Sequence, residues 1–475
     1  ASIQRIALQN LYIQPLHSRK FRQMKKWLLT LSIGSLCSIT TLLSKMQRPN
    51  IILLLADDLG WADLGYQGSE DIRSPHIDSL AKNGIRFTDG HVSASVCSPS
   101  RAGLMTGRYQ QRFGHEANSP PPSDGMDIKQ ITMADRLKKL GYRTGLIGKW
   151  HLGNRDEFYP TQRGFDYFYG LRSGSRSYFY NAQKDDKTGN TKAIEENGKQ
   201  VKFDGYLTDV FGQKAIDFIN AKNDKPFFLF HSFTAPHGPM HATEEDKALF
   251  ASIENTKRRS YAAMIWAMDR AIGQLVDSLK ASGKFENTLI WFLSDNGGAT
   301  GNASINLPLA GHKGIKFEGG TRVPFFAHWP KQFKEPRKFD PMMISLDIMP
   351  TSLAAAGAKE KDLKNLDGIN LLPFMQGEKK TPPHQNLYWH KLWFSAMREG
   401  PWKLIYVQDY GYALYNLEKD LGESKNLIKS EKKRSEEMID QLNDWKAGLE
   451  KPRWNEAEVW FRTHSKNHIR IIEGE

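Results

Sequence analysis

Residues 50–58 read Asn-Ile-Ile-Leu-Leu-Leu-Ala-Asp-Asp, an unbroken apolar run that stops at two acids. A run without alternation is typical of a strand covered on both faces, as in a parallel sheet. Similar runs recur along the chain, and segments with helical spacing lie between them. This alternation predicts an α/β fold in which helices sandwich a large, mainly parallel or mixed sheet. We predict strands at residues 50–56, 143–147, 226–233, 288–293 and 323–328, and helices at residues 77–83, 132–140, 207–221, 259–282 and 347–356.

The sequence changes character past about residue 375. Short strand-like segments with tight turns follow one another there, and a charged segment at residues 430–449 has helical spacing. We therefore expect a catalytic α/β domain at residues 49–375 and a smaller C-terminal subdomain, an antiparallel sheet plus a helix, at residues 376–475. An aromatic cluster at residues 388–394 is interpreted as core of the small sheet, in preference to a platform for sugar rings. The short strands are predicted at residues 386–389, 395–398, 402–407 and 413–416.

Residues 1–48 are predicted to be a leader. Met24-Lys25-Lys26 is a short positive start, and residues 27–43 form an uncharged, mostly apolar run, which is the pattern of a signal peptide at about residues 24–44. A membrane anchor is the alternative, but the run is short for a bilayer span. We expect a periplasmic or secreted protein that is not stably inserted in a membrane once the leader is removed.

The net charge of the sequence is +13, but its distribution argues against a nucleic-acid partner. The first 49 residues hold eight basic residues and no acidic residue, so the rest of the chain carries only +5. A mildly basic body without a recognition module is not typical of proteins that bind nucleic acid.

The chain has two cysteines, Cys37 in the leader and Cys97. Once the leader is removed, Cys97 has no partner for a disulfide. A single thiol in an exported protein is either reactive or modified. The alternative is a buried thiol that acts only as a small apolar side chain.

Polar side chains follow the predicted strands at their carboxyl ends. Ligands of parallel sheets gather at this edge, so these side chains are expected to lie together. Oxygen donors in such a group suit calcium or magnesium, and lysines and histidines beside them suit an anionic substrate and proton transfer. Taken singly, each residue is also compatible with a helix cap or a turn. The group comprises Asp57, Asp58, Lys149, His151, His237, Asp295, Asn296, His312 and Lys313.

The segment at residues 96–108, Val-Cys-Ser-Pro-Ser-Arg-Ala-Gly-Leu-Met-Thr-Gly-Arg, resembles the signature of type I sulfatases in the alkaline phosphatase superfamily. In that family the core C-x-P-x-R is read by a maturation enzyme that oxidises the cysteine to formylglycine (3-oxoalanine). Pro99 and the residues after it also place Cys97 at or just before a helix N-terminus, which favours a bound anion. The resemblance extends over residues 49–430 and includes Ala56-Asp57-Asp58, Gly148-Lys149-Trp150-His151-Leu152-Gly153, Ala235-Pro236-His237, Ser294-Asp295-Asn296-Gly297 and Lys313.

The resemblance implies that a modified Cys97 hydrolyses sulfate esters. An aldehyde hydrate at this position offers a hydroxyl for attack on sulfur, and the adduct collapses with release of sulfate and return of the aldehyde. The family also uses a divalent cation as a Lewis acid, usually calcium, with magnesium as the alternative. By resemblance the cation ligands are Asp57, Asp58, Cys97, Asp295 and Asn296.

The same resemblance assigns roles to the charged residues around Cys97. Asp295 is the base on the attacking hydroxyl. Arg101 holds the hydrate, because its charge is permanent and its donors fork. Lys149 and Lys313 neutralise the sulfate oxygens and the charge that develops in the transition state.

Two histidines are assigned to proton transfer. By resemblance, His237 protonates the leaving alcohol, and His151 helps to deprotonate the second hydroxyl during sulfate elimination. A histidine pKa near neutrality suits both tasks.

The expected substrate is a sulfated polysaccharide or oligosaccharide, with carrageenan-type algal galactans as the most specific candidates. Two other functions stay open: hydrolysis of phosphonate monoesters or phosphodiesters within the same superfamily, and non-catalytic binding of a sulfated glycan. The relative turnover of aryl sulfates and aryl phosphate diesters distinguishes a phosphonate monoester or phosphodiester hydrolase from a sulfatase. Release of sulfate excludes a protein that only binds a sulfated glycan. Candidates for substrate contact are Arg172, Arg176, His241 and His312 in loops near the motifs, together with His390 and Lys391 of the aromatic cluster.

Overall fold

The computed structural model describes residues 48–118, 120–121 and 124–474. The predicted leader, with its signal peptide, lies outside the described residues except for Arg48. The strands are β1 (Asn50–Ala56), β2 (Ile85–Phe87), β3 (Gly90–His91), β4 (Arg143–Lys149), β5 (Tyr167–Leu171), β6 (Glu195–Glu196), β7 (Lys199–Gln200), β8 (Phe227–Ser232), β9 (Thr288–Ser294), β10 (Phe325–His328), β11 (Arg337–Phe339), β12 (Met343–Ile344), β13 (Asn386–Lys391), β14 (Phe394–Glu399), β15 (Trp402–Val407) and β16 (Gly411–Asn416). The α-helices are α1 (Pro75–Lys82), α2 (Cys97–Thr106), α3 (Met133–Lys139), α4 (Leu207–Asn220), α5 (Glu244–Ala248), α6 (Thr256–Ala281), α7 (Glu318–Thr321), α8 (Ile348–Ala355), α9 (Leu372–Met375), α10 (Lys432–Ala447) and α11 (Glu458–Glu473).

Ten of the strands in the described residues form one mixed sheet, with the apolar strand β1 near its centre. β1 pairs in parallel with β8 and β9, and β4 and β5 continue the parallel part beyond β8. β10 is antiparallel to β9, and it begins only at residue 325 because Pro324 has no N–H for the ladder. The strand order is β11-β2-β10-β9-β1-β8-β4-β5-β6-β7. The predicted large mixed sheet is therefore confirmed.

Helices cover both faces of this sheet, which explains why β1 lacks polar alternation. Ile52 and Leu54 point to one face, where α1, α4 and α6 pack. Ile51, Leu53 and Leu55 point to the other face, where α2, α3 and α8 pack. Both sets of side chains are buried, so the sandwich predicted from the sequence is confirmed.

Strands β13–β16 form a separate four-stranded antiparallel sheet, as predicted for the C-terminal region. The small sheet packs with α10, which was predicted, and with α11, which was not. Trp389 and Phe394 are fully buried in its core, which confirms the interpretation of the aromatic cluster. The domain boundary near residue 375 stays a prediction. No helix in the described part of the chain is long and apolar enough to cross a bilayer.

A buried ion-pair network joins the small sheet to α7. The Glu318 carboxylate is fully buried and accepts hydrogen bonds from Lys403 Nζ at 2.8 Å and from Arg398 Nη1 at 3.2 Å. Burial favours the neutral acid at Glu318, but Lys403 and Arg398 outweigh this effect and hold the pKa well below its ordinary value. Because α7 begins five residues after Lys313, the network also anchors the loop that carries this lysine.

Candidate active site

Cys97 is the first residue of α2, and this confirms the predicted helix start. Val96 is extended, with φ −141° and ψ 154°, and the helix runs from Cys97 to Thr106. Pro99 is compatible with this first turn because the N–H groups there have no partner inside the helix. The Cys97 side chain is buried, so the helix directs its sulfur into the interior at the carboxyl edge of the large sheet.

Acidic side chains surround the sulfur of Cys97. Its Sγ lies 3.6 Å from Asp57 Oδ1 and 3.9 Å from Asp58 Oδ1. Both acids follow β1 directly, and Asp58 has a φ of +64°, a left-handed conformation that is uncommon for residues other than glycine. The Asp58 N–H points to Asp295 Oδ1 at 3.3 Å, and Asn296 Nδ2 donates to Asp58 Oδ1 at 2.7 Å. The ends of β1 and β9 are thereby brought together.

Two lysines are paired with these acids. Lys149 Nζ lies 2.5 Å from Asp57 Oδ2. Lys313 Nζ lies 2.8 Å from Asp58 Oδ2 and 3.2 Å from Cys97 Sγ. Gly148 allows the close approach of β4 to β8 that positions Lys149, because its φ is +113° and a Cβ there would meet Ser232 O at 1.8 Å.

Arg101 spans the centre of the site from the second turn of α2. Its Nε donates to Asp295 Oδ2 at 2.9 Å, and its Nη2 lies 3.6 Å from Asp57 Oδ2. Its Nη1 donates to Ser232 Oγ at 2.6 Å. Ser232 was not singled out in the sequence, although its place at the carboxyl end of β8 was a usable signal.

Burial and charge shift the pKa values of the central groups in different directions. Burial raises the pKa of the Cys97 thiol to about 12, against the opposing effect of Lys149 and Lys313. Burial and the neighbouring Asp57 raise the pKa of Asp295 to about 6. At Asp57 burial also favours the neutral acid, but the charge of Lys149 and the other cations outweighs it and lowers the pKa. An unmodified Cys97 is therefore a neutral thiol at neutral pH and a weak nucleophile.

The two histidines assigned to proton transfer have different surroundings. His237 Nδ1 lies 2.6 Å from Gly238 O, and its Nε2 lies 3.4 Å from Asp58 Oδ2. The Tyr178 hydroxyl lies 2.8 Å from His237 O and holds this loop in place. His151 has a φ of +60°, and burial together with the charge of Lys149 lowers its pKa well below the ordinary value.

A cavity of about 460 Å³ opens beside the cluster. Asp58, His237 and Lys313 line one part of it, and His312 and Lys391 also contribute to its wall. Residues of α11 that were not singled out in the sequence also line the cavity. A larger groove of about 960 Å³ lies elsewhere, and its lining contains none of the candidate site residues. The missed residues are Trp460, Thr463, His464 and Asn467, together with Glu456 just before the helix.

The candidates for substrate contact differ in whether they have protein partners and whether they line the cavity. Arg176 is fully buried, with its Nη2 at 2.7 Å from Asp186, so a substrate contact would require this ion pair to open. Arg172 pairs with Glu195 at 3.1 Å and with Asp156 at 2.9 Å. These ion pairs account for the positions of both arginines without a contact to substrate.

Two further candidates also have protein partners. His390 Nδ1 lies 2.9 Å from Ser395 Oγ, and His241 Nδ1 lies 3.3 Å from Ser177 Oγ. Neither histidine lines the 460 Å³ cavity, whereas His312 and Lys391 do. Geometry therefore favours the latter two among the weaker candidates.

The donor set fits a hard divalent cation. Ligand atoms of Asp57, Asp58, Cys97 and His237 all lie within 4.8 Å of one another. Asn296 Oδ1 is buried and accepts no hydrogen bond from the described residues, so a carbonyl oxygen remains available as a ligand. Carboxylate and amide oxygens are the donors that calcium and magnesium prefer.

Comparison with known proteins agrees with this geometry. A family model described as Sulfatase matches residues 49–358, and one described as N-sulphoglucosamine sulphohydrolase, C-terminal, matches residues 312–450. The uncharacterized sulfatase YdeN of Escherichia coli (strain K12) is 31% identical over 405 residues, which cover 73% of this chain and 70% of that protein. Arylsulfatase G of Homo sapiens is 32% identical over 388 residues, which cover 72% of this chain and 71% of that protein.

A solved structure gives the same result. The crystal structure of Ps i-CgsB in complex with k-i-k-neocarrahexaose has a TM-score of 0.82 and 36% sequence identity, and the match covers 90% of this chain and 99% of that chain. Fold and site together define a sulfuric ester hydrolase. The chain belongs to the sulfatase family, as a type I sulfatase that resembles bacterial polysaccharide sulfatases. Its class of reaction is hydrolysis of a sulfate ester.

Proposed function

We propose that the protein releases sulfate from a sulfated polysaccharide or oligosaccharide by means of a formylglycine derived from Cys97 and a bound divalent cation. The observation that carries the proposal is the position of Cys97 Sγ at the start of α2. It lies 3.2 Å from Lys313 Nζ and 3.6 and 3.9 Å from the Asp57 and Asp58 carboxylates. Since burial raises the pKa of the thiol, an unmodified Cys97 is a poor nucleophile, and this is consistent with a role for its oxidised form.

The charge balance of the site supports a cation and an anionic substrate. Three carboxylates, of Asp57, Asp58 and Asp295, face three cationic side chains, of Arg101, Lys149 and Lys313. A divalent cation on these carboxylates and on Asn296 makes the site net positive, which suits the negative charge of a sulfate monoester. We propose Ca²⁺, with Mg²⁺ as the alternative, and when bound it supplies Lewis-acid polarisation of a sulfate oxygen.

The side chains around residue 97 have separate tasks in this proposal. Lys149 and Lys313 hold the sulfate oxygens and neutralise charge in the transition state. Arg101 orients residue 97, because its guanidinium is fixed by Asp295 and by Ser232. Asp295 accepts the proton of the attacking hydroxyl.

The histidines complete the proton transfers. His237 Nδ1 faces the Gly238 carbonyl, so Nδ1 carries a proton and Nε2 faces the cluster. His237 is thereby placed to deliver a proton from Nε2 to the leaving oxygen. His151 is held neutral by its surroundings and is suited to accept a proton during sulfate release.

A sulfated galactan of the carrageenan type is the proposed substrate. Support comes from the structural neighbour that was solved with k-i-k-neocarrahexaose. The cavity beside the cluster, of about 460 Å³, is in the range of small-ligand sites. Export to the periplasm or beyond, proposed from the leader, would bring the enzyme to such a polymer.

The test combines mass spectrometry with a release assay. The tryptic peptide of residues 87–101 is expected to lose H2S and gain one oxygen at Cys97 when the protein is produced with a maturation enzyme. This material should release sulfate from 4-nitrophenyl sulfate and from at least one sulfated galactan, whereas Cys97→Ala should release none. Faster turnover of an aryl phosphate diester would favour the phosphodiesterase alternative. Absence of turnover by fully converted protein would favour a glycan-binding relative.

A further inference from the structure

Helix α11 forms a wall of the catalytic cavity with one face. Trp460, Thr463, His464 and Asn467 line the cavity, and their spacing of three, one and three residues places them on the same side of a helix. This helix begins at Glu458, beyond residue 450, where the match to the C-terminal family model ends. The wall is therefore a feature of this chain that the two family models do not include.

The helix is fixed to the loop that carries Lys313. His468 Nε2 accepts the N–H of Lys316 at 2.9 Å, while its Nδ1 faces His464 O at 2.7 Å. The His468 ring also stacks on Phe394, with centroids 4.6 Å apart and an interplanar angle of 13°. At Gly314, a Cβ would meet His464 Nε2 at 2.4 Å, so the helix and the loop are in direct contact. The position of the wall is thus coupled to that of a sulfate-binding lysine.

Trp460 is exposed on this wall. Its relative exposure is 52%, although tryptophan is usually largely buried. Its neighbours in the cavity are polar: Lys391 Nζ lies 2.7 Å from Glu456, and Asn467 Nδ2 lies 3.5 Å from His312 Nε2. An aromatic face beside paired polar groups offers apolar contact and hydrogen bonds together, which is the combination that a sugar ring presents.

We propose that Trp460 is the platform on which the sugar ring of the substrate packs, and that Asn467 and His312 bind its hydroxyl groups. This inference rests on the proposed function and deepens it by assigning the carbohydrate-binding wall to α11. Trp460 contacts the sugar and not the sulfate, so it determines specificity for the carbohydrate. A small aryl sulfate reaches residue 97 without needing this wall.

The experiment compares Trp460→Ala and Trp460→Phe with the wild-type enzyme on two probes. The first probe is 4-nitrophenyl sulfate, and the second is the carrageenan oligosaccharide that the wild type desulfates fastest. Val459→Ala is the matched control, because Val459 is the adjacent residue, is 62% exposed and does not line the cavity. If the wild type desulfates no oligosaccharide, the second measurement is instead the inhibition constant of the oligosaccharides against turnover of 4-nitrophenyl sulfate.

Trp460→Ala should raise the KM or inhibition constant for the oligosaccharide by about 10- to 100-fold, the range of an important aromatic contact, and leave aryl sulfate turnover within about 2-fold. Trp460→Phe should recover most of the loss. Equal effects on both probes, or no effect on the oligosaccharide, would overturn the inference. The inference would also be overturned if the wild type were a dimer that Trp460→Ala dissociates without a change in saccharide kinetics. It would be overturned as well if the wild type turned over aryl sulfate but neither desulfated nor bound any oligosaccharide. Failure of the wild type on every sulfate ester would instead refute the proposed function.

Discussion

Replacement of His237 by alanine should separate substrates by the basicity of their leaving group. A sugar alcohol leaves as a strongly basic alkoxide unless a proton is supplied, whereas 4-nitrophenolate leaves without one. In the structure, His237 Nε2 faces the reaction centre, at 3.4 Å from Asp58 Oδ2. The other nearby donors, Lys149 and Lys313, are held on Asp57 and Asp58 at 2.5 and 2.8 Å. Either lysine would have to leave its carboxylate to take over the proton transfer.

The magnitude follows from the loss of a complete general acid. Such a group contributes about 10²- to 10⁴-fold to the rate, which is about 3–5 kcal/mol in the barrier. We expect kcat/KM for a sulfated oligosaccharide to fall by about this factor in His237→Ala. For 4-nitrophenyl sulfate the loss should stay below about 10-fold, because its leaving group needs little protonation.

The assay measures initial rates of sulfate release by ion chromatography and of 4-nitrophenol by absorbance. His76→Ala is the control, since His76 is exposed at the start of α1 and does not line the catalytic cavity. Equal losses on the two substrates would refute the role of His237 as the acid for the leaving group. A loss confined to the aryl sulfate would refute it as well.

Three further results are expected. Removal of divalent cations with EDTA should lower sulfate release by at least about 100-fold, with recovery on addition of Ca²⁺, because Lewis-acid stabilisation is worth several kcal/mol; activity that persists in EDTA contradicts the cation. Lys403→Met should lower the free energy of unfolding by about 3–5 kcal/mol in urea titrations, since it leaves the Glu318 carboxylate buried without its nearest cation; a change below about 1 kcal/mol contradicts this role of the network. Burial alone would lower the pKa of His384, but the carboxylate of Asp347 at 2.9 Å outweighs burial and raises this pKa. The ion pair therefore stabilises the folded protein fully below the ordinary histidine pKa of about 6.5, and this stabilisation is lost as the pH rises through the raised pKa. His384→Gln should therefore destabilise the protein more at pH 5.5 than at pH 9, and equal losses at both would contradict the ion pair.

Much of the fold was predictable because burial on two faces leaves a direct mark on the sequence. The apolar run of β1 predicted the central strand, and the acids after it predicted the edge at which Asp57, Lys149 and Asp295 meet. The rule that ligands gather at the carboxyl ends of parallel strands needs only the strand assignments, so it did not depend on tertiary contacts. The start of α2 at Cys97 was predictable as well, because the effect of Pro99 on the backbone is local and needs no tertiary contact.

Other features depend on partners that are distant in the sequence. The sequence around Arg176 gave no sign that this side chain is buried in an ion pair with Asp186, so its role in substrate contact stays a prediction. The network around Glu318 joins segments that are about 80 residues apart. Helix α11 was not predicted, and its place beside the site depends on the packing of His468 against Lys316, which the sequence does not show.

The proposed mechanism depends most on the conversion of Cys97 to formylglycine. The direct measurement is the specific activity on 4-nitrophenyl sulfate for a series of preparations in which graded co-expression of a maturation enzyme varies the converted fraction of the peptide of residues 87–101. Activity should rise in proportion to that fraction and extrapolate to zero at no conversion. Activity that is independent of the converted fraction, or that is retained by unconverted protein, would contradict the central claim.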